Sequence, residues 1–232
     1  MLITLLLLFQ LILFALGILG PWRDAPGLKN NGRLPRPIRM LLSFSLVVAA
    51  FVIWKTSYKQ FEPYTRWVCF GMAASFLGDL IMARLIPLPN RLIGGMIAFA
   101  IAHALYINAY LQLIGDAIPN PGLVLGLCFY GLAMVSGWWF LICNPQKEVT
   151  INIGALAYGL LVSVMASFAL ALTFSLHGAF WLTALGGLFF FISDFIIGVT
   201  DIRGTQIKNA NDWIWLTYVA GQMGIIYAGW LA

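Results

Sequence analysis

Read for hydropathy alone, the chain is a succession of long apolar runs separated by short polar breaks. Runs of membrane-spanning length fall at about 2–20, 38–54, 64–84, 92–114, 121–142, 151–175, 179–200 and 213–231, since crossing a bilayer takes about 20 apolar helical residues. The pattern predicts eight transmembrane helices, the second short and the sixth long enough to tilt. The breaks carry turn chemistry at Gly20-Pro21, Pro35 and Pro37, Pro87 and Pro89, Pro119 to Gly122, and Asn144-Pro145. None of them could hold a separate domain. The expected fold is therefore all-α, a polytopic membrane bundle in which residues 1–232 form a single integral membrane domain. The first run has neither a cationic leader nor an A-x-A-like cleavage site, so it is predicted to be a retained helix and not a signal peptide.

Composition agrees. The 232 residues are 62% hydrophobic and only 9% charged, whereas a soluble domain carries about a quarter charged residues. The mean hydropathy of +0.92 leaves lipid as the solvent for most of the chain. The net charge of +5 does not imply nucleic acid, because the cations lie between apolar runs and form no basic face. They suit anionic lipid headgroups and membrane orientation. Loops 1, 3, 5 and 7 hold Arg23, Lys29, Arg33, Arg36, Arg39, Arg84, Arg91, Lys147, Arg203 and Lys208, ten cations against three (Lys55, Lys59, Arg66) around loop 2. The positive-inside rule then puts the odd loops in the cytoplasm and both termini on the non-cytoplasmic side. Trp22, Trp138, Trp139 and Trp213 would mark the inner interface, and Trp54, Trp67, Trp181 and Trp230 the outer. The membrane would be the inner membrane of a bacterial cell or the endoplasmic reticulum of a eukaryotic one. Cys69, Cys128 and Cys143 form no C-x-x-C pair, so they read as packing residues and not as a disulfide framework or thiolate metal site.

Candidate chemistry follows from the acids. Asp24, Glu62, Asp116, Glu148, Asp201 and Asp212 fall in or beside loops; Asp79 and Asp194 lie inside apolar runs. A buried Asp costs about 2.5–3.5 kcal/mol on insertion scales, so each should face the bundle interior or a wet cavity. Counted from the ends of their helices, the two sit at similar depth on the odd-loop side and could share one chamber. Their alternative role is to tie helices together, through Ser75 or Ser193. His103 shares a helix face with Tyr106 and Tyr110, and Tyr218 shares one with Gln222. Arg36 and Arg39 bracket the second helix on the same side, where they could hold a phosphate or serve as orientation charges. His177, in an outer turn, reads as bland. Gly122 and Gly126 form a GxxxG that suggests close helix packing. A weak internal echo joins two stretches: Gly71, Asp79 and His103 have the same spacing as Gly186, Asp194 and Tyr218. The echo suggests helices 3–4 and 7–8 as related parallel units.

The segment 71–110, with Ser75, Gly78-Asp79, a Pro-flanked turn, His103 and Leu105-Tyr106, resembles the YhhN family of membrane lysoplasmalogenases. So does 186–222, with Phe191-Ile-Ser-Asp194, a basic loop, Tyr218 and Gln222. Arg36-Pro37 stands where that family commonly has Lys-Pro, a change that keeps the charge but alters its geometry. The resemblance implies an eight-helix hydrolase that cleaves the vinyl ether of a lysoplasmalogen to a fatty aldehyde and a glycerophosphoethanolamine or glycerophosphocholine. It puts the family's paired aspartates on Asp79 and Asp194; the residues themselves suggest His103 as a third catalytic group and Arg36, Ser75, Tyr106, Ser193, Tyr218 and Gln222 around the substrate. The expected partners are a lysophospholipid and membrane lipids; no cofactor, metal or nucleic acid is expected. Two acids in a low-dielectric chamber should not both ionise, which would leave one proton donor beside one anion, as in glycoside hydrolysis. A proton-coupled transporter with an Asp/His relay is the competing reading, and a non-catalytic lipid-binding protein the third.

Overall fold

In a bilayer the backbone has no water to bond, so apolar runs must close their hydrogen bonds within themselves. A computed structural model of the protein, describing residues 1–19, 35–115 and 120–232, meets that requirement with helices throughout. They are α1 (Leu2–Leu19), α2 (Arg36–Thr56), α3 (Glu62–Met82), α4 (Arg91–Ile114), α5 (Pro121–Gly137), α6 (Val149–Leu176), α7 (Trp181–Ile197) and α8 (Ala210–Leu231). α5 and α7 each continue into a π-helical turn, Trp138–Ile142 and Gly198–Ile202. No strand occurs among the described residues. The predicted Gly20-Pro21 turn, Trp22, Arg23, Asp24, Lys29, Arg33, Asp116 and Pro119 lie outside the described residues.

Eight helices form at the eight apolar runs. α6 is the longest at 28 residues, but α2, expected to be short, runs to 21 because it begins at Arg36 and ends at Thr56, beyond the apolar run at both ends. Five helical stretches are long and apolar enough to cross a membrane: Arg36–Thr56, Arg91–Ile114, Pro121–Ile142, Val149–Leu176 and Gly178–Ile202. The chain is an integral membrane protein. Two starts are fixed by asparagine caps. The Asn90 side chain accepts from the Leu92 and Ile93 amides, and that of Asn120 from Leu123. Both satisfy donors that a helix start leaves open.

Packing is closest between consecutive helices α3 and α4, α7 and α8, and α5 and α6; α6 also meets α4 and α7, and α2 meets α3 and α8. Small residues permit this. A methyl on Gly186 would lie 2.7 Å from the Gly221 carbonyl oxygen, so α7 and α8 touch backbone to backbone. The GxxxG of α5 does the same against α6, with Gly122 facing Leu170 and Gly126 facing Ser167. Large apolar side chains such as Leu132 and Phe140 point outward, as a lipid-facing surface requires.

Loops 3, 5 and 7 gather at one end of the bundle. Asn144, after α5, donates to the carbonyls of Ile202 and Arg203 after α7. Arg91, after loop 3, pairs with Asp201 at 3.6 Å. At the opposite end Trp54 Nε1 donates to Glu62, and His177 occupies an exposed turn with positive φ.

Candidate active site

Asp79 sits in the last turns of α3 and Asp194 near the end of α7, both on the side of the gathered loops. Asp79 is buried, and its Oδ2 accepts from the Tyr218 hydroxyl at 2.7 Å and from the Ser43 hydroxyl. The Oδ2 of Asp194 accepts from the Tyr158 hydroxyl at 2.5 Å, and His103 Nε2 stands 3.6 Å from the same oxygen and 3.2 Å from the Tyr158 oxygen. Each carboxylate therefore has hydroxyl donation of the kind that offsets its desolvation.

The donors follow a rule. Ser43 precedes Asp79 by 36 residues and Tyr158 precedes Asp194 by 36. His103 and Tyr218 each follow a carboxylate by 24 residues. The last two are exchanged: Tyr218 serves Asp79, and His103 lies against Asp194. The echo seen in the sequence thus extends to Ser43 and Tyr158, each echoed pair being 115 residues apart. Each half supplies one donor to its own carboxylate from the preceding helix and one group to the other half's carboxylate. His103 is nearer in sequence to Asp79, but the fold sets it against Asp194.

Both carboxylates line one polar cavity of about 350 Å³, together with Arg36, Arg39, Arg84, Arg91, Asp201, Ser193, Trp215 and Tyr218. Four arginines against three carboxylates leave its wall cationic, which suits a phosphate. Arg39 stacks over Trp215 at 5.4 Å, and Arg36 is exposed at the mouth. A second cavity, with about 50 Å³ of free space, is walled by Met82, Met96, Phe99, Met134, Phe191, Phe195 and Tyr158 and ends on Asp194. The two share Met82, Phe99, Asp194 and Ile197. Asp194 therefore stands where a polar chamber meets an apolar one. A cavity at the opposite end, lined by Ile3, Ile53, Tyr58 and Trp230, has no wall residue in common with either.

Of the residues singled out in the sequence, Arg36, Asp79, Ser193, Asp194 and Tyr218 line the polar cavity, and His103 lies directly behind Asp194. Ser193 Oγ donates to the Ile214 carbonyl, tying α7 to α8. Ser75, Tyr106 and Gln222 come together elsewhere. Tyr106 donates to Gln222 Oε1 at 2.7 Å, and Ser75 Oγ lies 3.5 Å from the Tyr106 oxygen. All three are buried and none borders either cavity. Ser43, Tyr158, Arg84, Arg91 and Trp215 were not singled out. The first two could have been found by carrying the echo one helix upstream. The others needed the folded loops. Among the described residues no three of His, Cys, Asp and Glu converge as metal ligands.

Residues 36–229 match the YhhN family. This is most of the chain and includes both carboxylates, all their donors and every arginine of the polar cavity. The chain belongs to the YhhN family. No curated protein and no solved structure matches it.

Proposed function

We propose that this YhhN family member is a membrane-embedded hydrolase that cleaves the vinyl ether of a lysoplasmalogen, with Asp79 and Asp194 as its acid and base. The observation that carries the reading is the junction at Asp194, where a cationic chamber holding both carboxylates meets an apolar cavity. A single-chain phospholipid has the matching sequence of parts: phosphate, glycerol, ether bond, tail. With its phosphate among the arginines and its tail beyond Phe99, the ether bond would lie beside the carboxylates.

The chemistry needs two carboxyl groups and one water. A protonated carboxyl gives its proton to the alkene carbon that carries the tail, and the ether oxygen shares the resulting positive charge. The second, anionic carboxylate stabilises that oxocarbenium ion and takes a proton from water as the water adds to the cationic carbon. The hemiacetal so formed collapses to a fatty aldehyde and the glycerophospho-alcohol, with one water consumed. Ser43, Tyr218 and Tyr158 hold the carboxylates in place by hydroxyl donation. By the positive-inside rule the chamber's mouth would open to the cytoplasm, with the termini outside.

The test is aldehyde release from a lysoplasmalogen by purified protein in detergent, compared with Asp79→Asn and Asp194→Asn. Each substitution is expected to lower turnover by about 10²–10⁴-fold, the usual worth of general acid–base catalysis, with the helical fold retained. Full turnover by either variant removes that residue from the mechanism. Silence of the unaltered protein on every lysoplasmalogen defeats the hydrolase reading.

A further inference from the structure

A bilayer lipid must reach Asp194 with its tail still in hydrocarbon, and a groove on the lipid-facing surface of the bundle suits this. It lies between α4 and α6, encloses about 330 Å³, and is lined by Met96, Ile97, Ala100, Gly154, Tyr158 and their neighbours. Ile97 and Ile153 beside it are each 59% exposed, so this surface faces lipid. The groove shares Met96 and Tyr158 with the apolar cavity, and the Tyr158 hydroxyl bonds Asp194 at 2.5 Å. Met96 and Tyr158 thus form a wall common to the groove and to the cavity that Asp194 borders. Met96 is unbranched and easily re-posed, and a methyl at Gly154 would meet nothing nearer than its terminal carbon at 3.9 Å.

We infer that the α4–α6 groove is a lateral portal through which the single hydrocarbon tail of the lipid reaches the apolar cavity, with Met96 and Tyr158 as its inner lip. The inference rests on the hydrolase reading for its substrate, but not for its binding test. The internal repeat supports it independently. The residues 115 positions from Met96, Ala100 and Gly154 are Asn211, Trp215 and Arg39, and all three of these line the polar cavity. At these three positions the groove is apolar, whereas the counterparts in the polar cavity are one charged, one polar and one aromatic side chain. An amphiphile with one phosphate end and one tail fits both at once.

Gly154→Trp would fill the groove from a position with room for a side chain. In lipid vesicles, its kcat/KM for a long-chain lysoplasmalogen is expected to fall at least about tenfold, while a short-chain, water-soluble vinyl ether glycerophosphate stays within about twofold, because it can enter from water through the polar mouth. Gly131→Trp on α5, where a methyl meets nothing within 4 Å, is the control and should leave both substrates unchanged. Unchanged long-chain turnover in Gly154→Trp overturns the portal, and so does equal loss on both substrates. If the unaltered protein hydrolyses neither substrate, the hydrolase reading fails, and the portal is decided by photolabelling. A lysophospholipid with a diazirine in its tail should mark α4 and α6 peptides in the unaltered protein and not in Gly154→Trp. Labelling that avoids these helices, or that persists in the variant, refutes the portal.

Discussion

Asp79 and Asp194 occupy the same place in two halves of one chain, and their surroundings differ in an instructive way. Asp79 accepts two hydroxyl donors, from Ser43 and Tyr218, and touches the polar chamber alone. Asp194 has one such donor, Tyr158, with His103 Nε2 at 3.6 Å, and borders both the polar and the apolar cavity. Position in the repeat fixes that there is a carboxylate and where its donors come from. What fills the neighbouring helix positions fixes what each carboxylate faces. Arg39 and Trp215 turn one half toward an anion; their counterparts Gly154 and Ala100 turn the other toward hydrocarbon. The two matching stretches thus end in unlike surroundings, one cationic and one apolar, as the proposed lysolipid substrate would require.

The sharpest way to break this comparison is to remove one hydroxyl from each half. Tyr158→Phe takes away the hydroxyl bond to Asp194 while keeping the ring that walls the apolar cavity. A hydrogen bond to a charged group is worth about 1.5–3 kcal/mol, so kcat is expected to fall on the order of 10–150-fold. Ser43→Ala leaves Asp79 with Tyr218 still donating, and a loss within about fivefold is expected for replacing one of two donors. Steady-state aldehyde release measures both. Equal losses would mean that the two carboxylates are supported alike and that the asymmetry has no catalytic consequence.

A smaller effect separates the two ends of the substrate. Arg39→Gln removes a guanidinium from the polar wall, and KM for a phosphate-bearing lysoplasmalogen should rise about tenfold with kcat nearly unchanged, the signature of lost uniform binding. A vinyl ether of glycerol without phosphate should not register the change. If both substrates respond equally, Arg39 serves the carboxylates and not the headgroup.

Much of this was legible before folding. The eight helices follow from apolar run length, because in lipid no other backbone arrangement satisfies its polar groups. Asp79 and Asp194 stood out because a charge in an apolar run is costly. The exchange of His103 and Tyr218 between halves was not legible, since sequence proximity says which helix follows α3 but not which faces it. Tyr158 was overlooked for a related reason: a lone tyrosine in a long apolar helix has no local partner, and its importance depends on α7 lying alongside. Ser75, Tyr106 and Gln222 share helix faces with the site, yet helix spacing fixes only the face of a residue. Their depth in the core, where they bond one another, is set by how α3, α4 and α8 pack.

The mildest expected effect tests whether nearness to the cavity implies a role in it. Ser193 borders the polar chamber, but its hydroxyl donates to the Ile214 carbonyl at 3.1 Å. Its counterpart in the other half, 115 residues earlier, is Gly78, where a methyl would lie 2.9 Å from the Phe99 ring; Phe99 is in turn the counterpart of Ile214. The same helix-pair contact is thus made by a hydrogen bond in one half and by close ring packing in the other. On this view the hydroxyl joins helices and does not bind lipid. Hydrogen bonds between membrane helices average about 0.6 kcal/mol, so Ser193→Ala should lower stability by about that amount. Reversible unfolding in mixed micelles would read it. KM and kcat should stay within about twofold, because no contact with substrate is lost. A marked rise in KM with unchanged stability would instead assign the hydroxyl to the lipid, and the two halves would then differ in function at this position as well as in packing.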